Sequence, residues 1–95
     1  MTIMTQEEFD RQHVLFYHVC IKFLRFIQKE LNPIDGEYLV DYYTIKRVCG
    51  SKAEAVFTEL LCSDIATDNG LMFKGLIIKQ DGIDDALAYY TNKIN

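Results

Sequence analysis

The sequence predicts an α+β domain with a long N-terminal helix, a helix-turn-helix, a β-hairpin and a C-terminal helix. Three observations carry that prediction. Helical character runs from Thr5 to about Leu31. Two shorter helical segments meet at Gly50-Ser51 with almost nothing between them. Strand-like residues flank Asn69-Gly70, a strong hairpin signal, and helical spacing resumes after Gly82.

Each element has a local cause. Thr5 and Glu8 form a capping-box pattern, and the acidic first turn suits the positive end of the helix dipole. Asn32-Pro33 stops the helix. A helix of about 25 residues is roughly 37 Å long. "NPIDGEYL" reads as a loop leading into a short strand, "EYLV". Asp41 caps a second helix over Tyr42–Cys49, and Gly50 ends it. Ser51 with Glu54 forms a second capping box, opening a third helix that runs to about Cys62. Ala53, Val56, Phe57, Leu60 and Leu61 share its inner face. Gly75 marks either a bulge or the start of the return strand.

The stretch "LIIKQDGIDDALAYY" changes period in the middle. A hairpin at Asp81-Gly82 needs a strand after it, but Ile83, Leu87 and Tyr90 recur at helical spacing. Asp84 and Asp85 fit a first helical turn and Lys93 a last one. The strand therefore ends near Lys79, and a helix closes the chain.

With 95 residues, the chain holds one domain, 1–95, and one modest core. Formal net charge is −4, so a strongly basic nucleic-acid binder is not the default reading. The acidic excess lies at the two ends, and residues 42–80 carry a net +1. Cys20, Cys49 and Cys62 are widely spaced and odd in number, which reads as three reduced thiols rather than a disulfide framework. "MTIMTQEEFD" lacks the basic and apolar regions of a signal peptide. The expected compartment is the cytoplasm, with no membrane association.

The first helix is apolar over most of its circumference. Arg11, His18, Lys22, Arg25 and Lys29 occupy one narrow arc of it. The other elements are too few to cover the remainder, so residues 1–32 are expected to form a homodimer. Its interface is assigned to Phe9, Phe16, Cys20, Phe23 and Ile27.

The element order, together with "IIKQDGIDDALAYY", resembles the winged-helix domains of small bacterial and phage proteins. In that pattern a wing strand is followed by I-T-x-x-G and a short helix ending in Tyr-Leu. Ile78, Lys79 and Gly82 hold the Ile, Thr and Gly positions, with Lys79 in place of the usual capping Thr. The resemblance covers residues 37–92. It implies DNA binding through the third helix with the hairpin as a wing, as in a small transcriptional regulator.

The residues themselves support that only in part. The outer face of the third helix offers Lys52, Ala55, Thr58, Glu59 and Cys62, and base edges are read mainly by Arg, Lys, Asn or Gln. Phosphate contacts are therefore assigned to Lys46, Arg47, Lys52, Lys74 and Lys79, and Thr58 of the outer face joins them in the expected nucleic-acid-binding set. The alternative is the same scaffold used for an acidic or apolar protein partner, as an adaptor or inhibitor.

Metal and catalytic chemistry are not expected. His13 and His18 point about 140° apart on a helix, the wrong geometry for a shared metal. "DGIDD" lacks the alternating ligands and later Glu of a calcium loop. GxSxG, P-loop and HExxH patterns are absent, and no cofactor is implied.

Overall fold

A computed structural model describes residues 5–69 and 74–95. The elements are α1 (Gln6–Glu30), β1 (Glu37–Asp41), α2 (Tyr42–Cys49), α3 (Ala53–Cys62), β2 (Ala66–Asp68), β3 (Gly75–Lys79) and α4 (Ile83–Ile94). Single 3-10 turns, Gly50–Lys52 and Gln80–Gly82, precede α3 and α4. The α+β class is as expected.

The helix starts show where local chemistry decides. Thr5 Oγ1 accepts from the Glu8 amide at 3.2 Å, and Asp41 Oδ1 accepts from the Thr44 amide at 2.7 Å. Hydrogen bonds from the Thr44 side chain and amide, with a smaller pull from Arg47, hold the Asp41 carboxyl below its ordinary pKa. The expected Ser51–Glu54 capping box does not form. Gly50 turns the chain at φ 59°, a 3-10 turn fills the junction, and α3 begins at Ala53 without a side-chain cap. Glu54 is held elsewhere, as described below.

The loop before β1 is tighter than expected. Ile34 and Glu37 exchange both backbone hydrogen bonds around Asp35 (φ 51°) and Gly36 (φ 78°), the signature of a two-residue hairpin turn. The sheet order is β1-β3-β2, all antiparallel, so the first strand pairs with the second hairpin strand. Gly75 is the first residue of β3, while the Asn69-Gly70 turn itself falls partly outside the described residues. Tyr38, Val40, Leu76, Ile78 and Ala66 face inward, and Leu39, Ile77 and Thr67 face outward.

The inner sheet face closes on Cys20, Phe23, Leu24 and Ile27 of α1, Ile45 of α2, Val56 and Leu60 of α3, and Ile83 and Tyr90 of α4. Helix α4 runs antiparallel along α1. Gln28 Nε2 donates to Asp84 Oδ1 at 3.0 Å near one end, and the Tyr17 and Tyr90 rings lie 5.7 Å apart farther along. An aromatic ladder continues outward along α1 from Tyr17 to His13 and Phe9, where Phe9 is exposed.

Burial also governs the thiols. It pushes Cys20 up to about 12 and Cys49 up to about 11, whereas Cys62 is exposed. The thiolate is the reactive form. At about pH 8, iodoacetamide should therefore alkylate Cys62 in the native protein, and Cys20 and Cys49 only in denaturant. Intact-mass spectrometry reads the count, and rapid native labelling of all three would contradict this packing.

Candidate nucleic-acid interface

The structure disperses the expected phosphate-contact set. Lys46 and Arg47 lie exposed in the last turn of α2, and Lys52 in the 3-10 turn that follows. Thr58 is exposed on α3. Lys74 and Lys79 bracket β3 and are separated by roughly 17 Å of strand.

Lys74 is not a free phosphate ligand. Its Nζ sits 2.8 Å from Glu54 Oε2 and over the rings of Tyr42 (4.2 Å) and Phe57 (4.8 Å). Tyr42 donates its hydroxyl to the same Glu54 oxygen at 2.7 Å. The Lys74 and Tyr42 hydrogen bonds hold the Glu54 carboxyl below its ordinary range, and the Glu54 bond raises Lys74. The cluster fastens the start of β3 to α2 and α3. Lys79 stands at the other end, opposite Glu37 in the strand register and in a depression shared with Asp35 and Asp81.

The outer face of α3 presents Glu54, Ala55, Thr58 and Cys62. Glu59, half-buried, accepts from Ser63 Oγ at 3.1 Å and from the Tyr90 hydroxyl at 3.3 Å. No side chain on this face can make the paired hydrogen bonds that read a base edge.

A basic surface forms elsewhere. Arg47 of α2 places its guanidinium 5.9 Å from the centre of the Phe26 ring on α1. Lys22, one turn before Phe26, lies near enough to Cys49 for its charge to oppose the upward push of burial. The exposed Lys22, Arg25 and Lys29 of α1 are thereby joined to Arg47, with Lys46 and Lys52 alongside in sequence. None of the six forms an ion pair among the described residues. The sequence signal for this surface is the absence of carboxylates: no Asp or Glu lies between Arg11 and Lys29 or between Tyr42 and Ala53.

The expected dimer residues also divide. Cys20, Phe23 and Ile27 are 0% exposed in the core of the chain itself, so they have no surface to offer a second chain. They belong to the fold because α4 and α2 pack along α1 and cover this stripe from within the same chain. Phe16 is half-buried against that core and Phe9 is 48% exposed. Leu15, absent from the expected interface, is more open at 59%.

Among the described residues, no group of three His, Cys, Asp or Glu side chains is placed to hold a metal, and no helix is long and apolar enough to cross a membrane. His13 Nδ1 bonds to the Phe9 carbonyl at 2.9 Å. No protein-family model, curated protein or solved structure matches the chain.

Proposed function

We propose that this chain is a non-catalytic, winged-helix-like protein that grips the phosphate backbone of nucleic acid through its α1–α2 surface. The observation that carries this is the joining of Lys22, Arg25 and Lys29 to Arg47, none of them in an ion pair among the described residues, with Asp41 the one carboxylate whose charge Arg47 feels. The winged-helix reading draws support from the element order and from the pairing of β1 with β3. The net charge of −4 is no bar, because exposed charges more than about 10 Å away are largely screened at 0.1 M salt. With no side chain on α3 that pairs hydrogen bonds on a base edge, affinity should be largely sequence-independent.

The same proposal includes a homodimer built on the first half of α1. Its support is the ladder of Phe9, His13 and Tyr17, which continues the core-facing stripe outward and ends on the exposed Phe9 ring. Two copies would present two basic surfaces to one duplex. The test is fluorescence anisotropy of a labelled duplex at about 50 mM salt, where phosphate contacts are strongest. A protein-interaction scaffold without nucleic acid remains the second reading, favoured by the poor α3 face.

A further inference from the structure

We propose that the groove between the α3–β2 turn, the outer face of β3 and the start of α4 docks a peptide segment with an apolar anchor flanked by Lys or Arg. This inference does not rest on the nucleic-acid reading, since the two surfaces share no residue.

The groove has a volume of about 750 Å³, within the range of ligand clefts, roughly 300–1,000 Å³. Its floor is apolar. Ile77 points outward from the centre of the sheet, Ile65 lies half-buried beside it, and Tyr89 is 44% exposed on α4. An exposed aromatic next to aliphatic surface suits a partner's Leu or Phe, because both lose water on contact.

The rim is acidic. Glu37, Asp64 and Asp85 line the groove, and the adjoining depression adds Asp35 and Asp81, against Lys79 and against Lys93, whose Nζ lies 5.3 Å from the centre of the Tyr89 ring. Glu37, Asp64 and Asp85 form no ion pair among the described residues. Asp64 holds φ 58° at the end of α3, where its amide bonds the Leu61 carbonyl. An acidic rim repels phosphate and attracts Lys or Arg, which selects a basic peptide over nucleic acid.

The probe is a fluorescein-labelled octapeptide with a Leu-Phe core between paired Arg flanks. It is compared with one peptide bearing Glu flanks and another with a Ser core. The wild-type chain should bind only the first. Glu37→Lys with Asp85→Lys should weaken it about tenfold, and Tyr89→Ala by about tenfold through loss of the anchor contact. Circular dichroism confirms that the variants fold, including the one at half-buried Glu37. Lys22→Glu should leave peptide binding unchanged, which separates this site from the α1–α2 surface. No binding up to about 1 mM, equal binding of either control peptide, or indifference to the groove variants would each overturn the proposal. So would self-association that blocks the peptide and is lost in the charge-reversed variant, because it would make a second copy the occupant.

Discussion

Replacing Lys22, Arg25 and Arg47 together with Glu is expected to lower nucleic-acid affinity on the order of 100-fold or more at about 50 mM salt. The three lie on the exposed α1–α2 surface and support no ion pair among the described residues, so the variant should keep its fold. Reversal does more than delete contacts, because each new carboxylate also repels a phosphate. Lys79→Ala is the matched control. That residue sits beside Glu37, Asp35 and Asp81, and its loss should change affinity by less than about threefold, since phosphates avoid an acidic neighbourhood. Anisotropy with one duplex reads both variants. A large loss in Lys79→Ala with none in the triple variant would move the interface to the sheet.

Phe23→Ala is expected to cost about 3–5 kcal/mol of stability, the usual range for emptying a phenyl-sized core site. Phe23 is 0% exposed and packs in the cluster that joins α1 to the sheet and α4. For a domain of this size, that corresponds to a melting temperature lower by more than about 12 °C. The change should not depend on protein concentration, because the lost contacts are within one chain. A concentration-dependent melting shift would instead mark Phe23 as an interfacial residue. Phe9→Ser should show the opposite pattern, with stability of the monomer changed by less than about 0.5 kcal/mol. Sedimentation should then show weakened self-association.

What was legible in the sequence was local. Asp41 and Gly50 set the limits of α2, Thr5 caps α1, and Ile83, Leu87 and Tyr90 mark α4, all through interactions within a few residues. The Ser51–Glu54 box is absent because Ser51 lies inside the 3-10 turn, one residue before the α3 cap position, while the Glu54 carboxylate is taken by Lys74, twenty residues along the chain, and by Tyr42. That competition has no trace in the spacing around Ser51. The dimer residues were misplaced for a similar reason. The periodicity of α1 shows an apolar stripe at Cys20, Phe23 and Ile27, but only the tertiary fold shows that the stripe is covered from within.

The basic surface was visible in halves. The α1 stripe and the Lys46-Arg47 pair each stand out in sequence, yet their junction depends on how α2 crosses α1 at Phe26. The wing cations looked equivalent because both flank the same apolar run. One is drawn into an aromatic cluster and the other into an acidic rim.

The most direct measurement is the salt dependence of duplex binding by the wild-type chain. If four to six of the α1–α2 cations contact phosphates, log affinity should fall with log salt at a slope of about −4 to −5. Scrambling the duplex sequence should leave that slope and the affinity almost unchanged. Absence of binding at about 50 mM salt, or binding that salt does not weaken, would contradict the account.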